Sequence, residues 1–233
     1  MIKTLSVIVP FYNESKTIAK CVEDLELLNE SVPLKCIFVN DGSEDKSQEV
    51  LTAALNESAL SYTLVKKENE GKAAAIKSAL RHLNTSHVVI FDADLELNSS
   101  DIALMWERVT QYDDNFVFGF RDFRAHSSFT YRYTLANRLL SNLFGVIYNQ
   151  VITDMMCGLK LMPVDFLIKV PFRFGRFALE FEIPWMMWKS YVRPYEIAVS
   201  YKPRGWEDGK TIGYYDALQI IVCMVRGRFI KRN

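Results

Sequence analysis

The apolar positions of this chain fall into short runs separated by polar loops. Residues 5–9 form a strand-like run closed by Pro10, and Phe11, Tyr12, Asn13 and Glu14 follow as a polar turn. Ser15 and Thr17 stand where a helix cap belongs, ahead of Ile18, Cys21, Val22 and Leu25 at helical spacing. Residues 36–39 predict a second strand with a sharp exit through Asn40, Asp41, Gly42 and Ser43, then a helix over 45–55. Leu64 and Val65 begin a third short strand, and residues 73–83 are rich in strong helix formers. Residues 88–97, VVIFDADLEL, run four apolar positions into acids. Such a run predicts a strand covered on both faces. Alternating strands and helices predict right-handed crossovers and a mostly parallel sheet with helices on both faces, an α/β architecture.

In that architecture every loop after a strand lies on one rim, where open α/β sheets bind ligands. Asp41, Asp92, Asp94 and Glu96 all fall there. Three acids within five residues repel one another unless a cation sits among them, and hard oxygen ligands suit Mg²⁺ or Mn²⁺. By itself the D-x-D fits a solvated acidic loop equally well. The turn at Asp41-Gly42 also fits an ordinary tight turn, and Lys72 fits a surface lysine at a helix start.

Composition narrows the classes. The 233 residues are 49% hydrophobic and 24% charged, an ordinary globular balance with room for one large α/β domain. The expected organisation is a single domain over 1–233, in two halves (1–125 and 126–212) with an amphipathic terminal helix (213–233). A formal net charge of zero gives no global field for nucleic acid. Cys21, Cys36, Cys157 and Cys223 are scattered without metal-type spacing, which points to buried thiols in a reducing compartment. No signal peptide is read at the start, and no apolar run reaches the roughly 18 to 20 residues of a membrane span.

The loops carry a resemblance. SVIVPFYNE, VNDGSEDKS, NEGKAAA and FDADLE look like the inverting family 2 glycosyltransferases of GT-A fold. TDMMCGLKLM and RGWEDGKT resemble two blocks of the polyprenyl-phosphate sugar transferases, the group that includes dolichyl-phosphate mannose synthase. The resemblance implies a hexose moved from a nucleotide-sugar of the GDP-mannose or UDP-glucose type to a polyprenyl or dolichyl phosphate. It implies Mg²⁺ or Mn²⁺ on Asp94 and Glu96, with Asp92 facing the nucleotide. Pro10, Tyr12, Glu14, Asp41 and Lys72 would line the donor, with Arg204 and Lys210 closing over its diphosphate on a mobile loop hinged at Gly205 and Gly209, and the halves 1–125 and 126–212 would serve the nucleotide-sugar and the acceptor. Arg121 and Arg132 would hold the acceptor phosphate, and Asp154 would orient the sugar or an arginine. The family often has Gln where Glu96 stands, which leaves the choice of metal open.

A lipid phosphate is already ionised, so it needs positioning rather than a base, and the planar fork of arginine suits its oxygens. A hydroxyl acceptor on a glycan or protein would need a base, for which Asp154 or Glu182 stand available. A catalytically silent nucleotide-sugar-binding subunit recruiting a protein partner is the alternative from another class. Residues 129–148 place Leu135, Leu139, Leu143 and Ile147 on one helical face, and 214–229 place Leu218, Ile221, Val222 and Val225 beside Arg226, Arg228, Lys231 and Arg232. Both segments fit a helix lying on a membrane, expected on its cytoplasmic face, and both equally fit core helices. The aromatics of 172–188 read as core, and Glu180 and Glu182, the acids among them, could orient arginines or touch the sugar.

Overall fold

The computed structural model describes residues 2–122, 131–174, 179–203 and 214–230, and only the backbone of 131–133 and 214. The elements run β1 (Leu5–Phe11), α1 (Ile18–Asn29), β2 (Leu34–Asp41), α2 (Ser47–Glu57), β3 (Ser61–Lys67), α3 (Lys72–Ala79), β4 (His87–Ile90), α4 (Ser100–Tyr112), β5 (Val117–Arg121), α5 (Tyr131–Tyr148), β6 (Lys160–Pro163), α6 (Val164–Leu167), α7 (Leu179–Lys189), β7 (Tyr195–Val199) and α8 (Tyr214–Phe229). Seven strands make one sheet in the order β3-β2-β1-β4-β6-β5-β7. β1 pairs in parallel with β2 and β4, β2 with β3, and β5 with β7. β6 runs antiparallel to both β4 and β5.

Alternation along β1 explains the two layers. Leu5, Val7 and Val9 point into one cluster with Ile18, Leu25, Leu51 and Ile102 from α1, α2 and α4. Ile8 points into the other, with Ala75, Ile76, Leu179 and Ile183 from α3 and α7. A strand buried on both faces has few polar positions to spare, which is why the β1 run is apolar except for the buried Ser6. A third cluster gathers Leu140, Phe144 and Tyr148 of α5 with Trp185 and Trp188 of α7 and Ile220 and Met224 of α8.

The structure shifts several expected boundaries. β1 continues through Pro10, whose missing N–H its pairing tolerates, and ends at Phe11. β4 stops at Ile90, so the acidic residues belong to the loop that follows. α3 ends at Ala79 and a 3-10 turn carries Leu80–His82. Thr17 takes the cap position of α1, but its hydroxyl donates to Glu14 Oε2 at 2.9 Å and caps nothing. All four cysteines are buried and free. α5 is a core helix along Leu140, Phe144 and Tyr148, one position round from the expected stripe. Of that expected stripe, Leu135 and Leu139 are exposed, while Leu143 and Ile147 are half-buried against the third cluster. No described helix is long and apolar enough to cross a membrane.

Candidate active site

β1 and β4 are neighbours in the sheet, with β2 and β3 beyond β1 and the remaining strands beyond β4. The crevice at the carboxyl end of this switch point is where a doubly wound sheet takes its ligand. A cleft of about 360 Å³ opens there, within the range of small-molecule sites. Pro10, Tyr12 and Glu14 reach it from β1 and its loop, Asp41 from the end of β2, and Lys72 from the start of α3. Asp92, Asp94 and Glu96 line it from the loop after β4, and Arg121 from the end of β5. The cleft therefore unites nine of the candidate residues. The side chain of Arg132, and Arg204 and Lys210 with their Gly205 and Gly209, lie outside the described residues.

Polar cross-links shape the side of the cleft that β1, β2 and β3 supply. Asn13 N–H donates to Ser43 Oγ, Glu14 N–H to Ser47 Oγ at 2.7 Å, and Ser15 N–H to Asp45 Oδ2. These bonds tie the loop after β1 to the loop after β2. Asp41 is buried, and its carboxylate accepts the N–H of Gly71 at 2.7 Å, the N–H of Glu70 at 3.1 Å and Lys67 Nζ at 3.0 Å. It thereby pins the loop that delivers Lys72. A carboxylate has about four lone-pair positions, so room remains for one further donor. Gly42, at φ +75°, is needed here, because a Cβ would stand 2.6 Å from Asn69 N.

Lys72 Nζ bridges Asp92 Oδ2 at 2.7 Å and Glu180 Oε1 at 3.0 Å. Burial works to lower the Lys72 ammonium, but Asp92 and Glu180 outweigh it and hold it above its usual value. Burial likewise pushes Glu180 up, and Lys72 and Lys160 overcome this to leave it below the ordinary carboxylate range. Glu180 also lines the cleft, one of the places the sequence left open for it, and its partner there is a lysine rather than an arginine. Helical position in the first turn of α7 was its only local signal. Glu182 is fully buried, does not line the cleft and accepts Arg173 N–H at 2.6 Å. Gly158 forms the floor: a Cβ there would lie 2.7 Å from Asp92 Oδ2 and 3.1 Å from Lys72 Nζ.

Asp154 lies behind this wall. It is buried, and its carboxylate takes Arg121 Nε at 2.6 Å and Nη2 at 2.9 Å in a bidentate fork. Burial works against the Arg121 cation, and Asp154 more than offsets it, so the guanidinium stays charged. A second cavity of about 320 Å³ shares Arg121 with the cleft and adds Asp122, Asn137, Arg138, Thr153 and Asp154. Asn137 is 4% exposed, and its Nδ2 has no hydrogen-bond partner among the described residues.

Among the described residues no three acidic, histidine or cysteine side chains converge as a ready metal cage. Asp94 and Glu96 flank Leu95, whose φ of +59° turns the loop, and both carboxylates line the cleft. Two hard carboxylates suit Mg²⁺ or Mn²⁺ when a donor's phosphates supply further oxygens. The loop is fastened by a bridge from Leu97 to Tyr201 and by Lys202 N–H on Glu96 O at 2.8 Å.

Comparisons with known proteins agree with this geometry. The chain is 27% identical over 209 residues to an uncharacterised protein of Methanocaldococcus jannaschii, covering 83% of this chain and 86% of that one. It is 24% identical over 243 residues to the dolichyl-phosphate beta-glucosyltransferase of Dictyostelium discoideum, covering 97% and 74%. A second enzyme of that description, from Trichomonas vaginalis, is 29% identical over 176 residues, and there the match spans 54% of the relative's length. Among solved structures, glucosyl-3-phosphoglycerate synthase of Mycobacterium tuberculosis, bound to Mn²⁺, UDP and phosphoglyceric acid, superposes with a TM-score of 0.73 at 17% identity, covering 98% of this chain and 80% of that one. At that identity the likeness speaks for the fold, which is the expected GT-A arrangement. The family model for glycosyl transferase family 2 matches residues 6–179, most of the chain, and the chain accordingly belongs to that family of glycosyltransferases.

Proposed function

We propose that this enzyme moves a hexose from a nucleotide-sugar to a polyprenyl phosphate of the dolichyl type, inverting the anomeric carbon. The observation that carries the reading is Arg121: a buried, permanently charged fork at the edge of a cleft that also holds Asp92, Asp94 and Glu96. Pro10, Tyr12, Glu14 and Asp41 bind the base and ribose, and Lys72 holds Asp92 and Glu180 against the sugar's end. Mg²⁺ or Mn²⁺ on Asp94 and Glu96, when bound, neutralises charge on the departing diphosphate. Arg204 and Lys210 add to the diphosphate contacts, and Arg132 to the acceptor phosphate, as the sequence resemblance implies.

An oxygen of the lipid phosphate attacks the anomeric carbon as its bond to the donor's phosphate oxygen breaks. The electron pair leaves with the nucleoside diphosphate, and no proton has to be removed. Arg121 places the acceptor's phosphate, and Asn137 and Arg138 in the adjoining cavity offer further donors to it. The hydroxyl-acceptor reading is less well supported. It needs a free base, yet Asp154 is gripped by Arg121 and Glu182 lies outside the cleft.

The exposed side chains Leu139, Leu218, Val225 and Phe229, with Arg138, Arg226 and Arg228 among them, support peripheral contact with an anionic lipid surface, on the cytoplasmic face. Incubation with radiolabelled UDP-glucose or GDP-mannose, Mn²⁺ and a prenyl phosphate tests the reading. Label should pass into the organic phase only with the phosphorylated lipid. Transfer to the prenyl alcohol, or to a glycan instead, defeats it. A thermal-shift screen of nucleoside diphosphates identifies the base, since a ligand of the native state raises its midpoint.

A further inference from the structure

Lys160 is a lysine in the interior of the sheet, 2% exposed. It opens β6, the antiparallel strand between β4 and β5, and its Cα partners are Ile90 and Phe118. Its neighbours along the strand, Leu159, Leu161 and Met162, are fully buried and apolar. Its Nζ donates to the carbonyl oxygens of Met155, at 3.0 Å, and of Cys157, and stands 5.5 Å from the centre of the Phe118 ring. Among the described residues no carboxylate stands within ion-pair distance of it, and Glu180 and Asp154 act on its charge only from further off. A buried ammonium held by two carbonyls is costly beside a methionine of similar length, which would suit a sheet interior without desolvating a charge. Its retention calls for a gain elsewhere.

That gain lies in what the lysine holds. Met155 and Cys157 belong to the turn between Asp154 and Gly158, and Cys157 N–H already closes on Asp154 O at 3.2 Å. One end of this turn aims Asp154 at Arg121, and the other brings Gly158 against Asp92 and Lys72. β4 delivers Asp92 and β5 delivers Arg121, so the turn touches both halves of the chemistry, and Lys160 is rooted between those two strands.

We infer that Lys160 is a positioning residue, whose ammonium clamps the 154–158 turn and so holds the Arg121–Asp154 pair in register with the donor pocket. It touches neither substrate; it acts through Asp154 and Gly158. The inference rests on the transfer reading above. A purely apolar residue leaves the turn's carbonyls without their donor, and the arginine it indirectly aims then samples other orientations. Since a misplacement of about 1 Å lowers turnover on the order of a hundredfold, small freedom in this turn suffices.

The test compares Lys160→Met with Lys160→Arg, which keeps both charge and donors. In Lys160→Met, kcat should fall at least about thirtyfold and the KM for prenyl phosphate rise, while the affinity for nucleoside diphosphate stays within about threefold. Amide hydrogen exchange should accelerate in residues 154–158 and not across the sheet. Lys160→Arg should recover most of the turnover. Turnover, KM and exchange all within twofold of the parent in Lys160→Met overturn the inference. So does a variant in which exchange rises throughout the sheet and nucleotide affinity falls together with turnover, for then the lysine merely holds the fold. Should the methionine variant not fold, Lys160→Gln, which keeps amide donors without the charge, is read on the same measures. If the parent protein transfers to no acceptor, the functional reading falls alone, and exchange at 154–158 still decides the role of Lys160.

Discussion

The two sides of this molecule are built by different means. On the proposed donor side, strands β1, β2 and β3 end in loops knitted together by side-chain-to-backbone hydrogen bonds, from the N–H groups of Asn13 and Glu14 to Ser43 and Ser47, and from that of Gly71 to Asp41. On the acceptor side, α5, α7 and α8 pack through aromatics, Phe144 against Tyr148 with centroids 4.6 Å apart, and Tyr148 against Trp188 at 4.8 Å. Their outer faces mix exposed apolar side chains, Val146 at 82% and Phe229 at 81%, with arginines such as Arg138, Arg226 and Arg228. Under the proposed function, a small, polar, water-soluble donor would be met by fixed hydrogen-bonding groups, which are expensive to rearrange. A long apolar acceptor would need a surface rather than a pocket, with a fixed point for its phosphate alone, and Arg121 in the grip of Asp154 is the proposed point.

Removing the charge centre of the donor side should have the largest effect. Asp94→Ala is expected to lower transfer by about a hundredfold or more with little change in melting, and EDTA should do the same to the parent protein. Full activity of both would break the assignment of a metal to this loop. Next comes the fixed point of the acceptor side. Arg121→Met leaves Asp154 buried and unpaired, at a cost of about 3–5 kcal/mol. Arg121→Met with Asp154→Leu should regain most of that stability yet remain inactive. A double variant that transfers normally would show the pair to be structural only.

Gly158→Ala should act on the donor side alone. Its Cβ displaces Asp92 or Lys72, and nucleotide-sugar affinity measured by calorimetry should fall roughly tenfold while prenyl-phosphate KM holds. Equal losses on both sides would blur the comparison. The smallest effect is expected from Leu139→Glu with Phe229→Glu, which should weaken cosedimentation with anionic vesicles by roughly tenfold or less and leave nucleotide binding untouched. Unchanged cosedimentation would assign those faces to something other than lipid.

Much of the fold was legible because a doubly covered sheet demands uninterrupted apolar strands, and its helices then show their own period. Residues 5–9 and 36–39 sit inside β1 and β2 for that reason. The rim loops were legible too, since each candidate from Pro10 to Glu96 follows its strand directly. The pairing of Glu180 with Lys72 was not, because the two stand 108 positions apart and the neighbours of Glu180 are core. Lys160 escaped for a similar reason, appearing only as one letter of a block. For α5 the sequence left a membrane-facing and a core-facing reading of Leu135, Leu139, Leu143 and Ile147 open, and packing against α7 and α8 buries the adjacent Leu140, Phe144 and Tyr148 instead.

The amino-acid sequence by itself determined the alternation of strands and helices, the sheet's two covered faces and the row of acids on one rim. Those follow from local periodicity, which neighbouring residues carry among themselves. The tertiary structure alone decided that β6 enters between β4 and β5, that Asp154 meets Arg121, and that Lys72 spans Asp92 and Glu180. Such pairings join positions tens of residues apart, and no local pattern encodes a partner that only the strand order brings within reach of a charge.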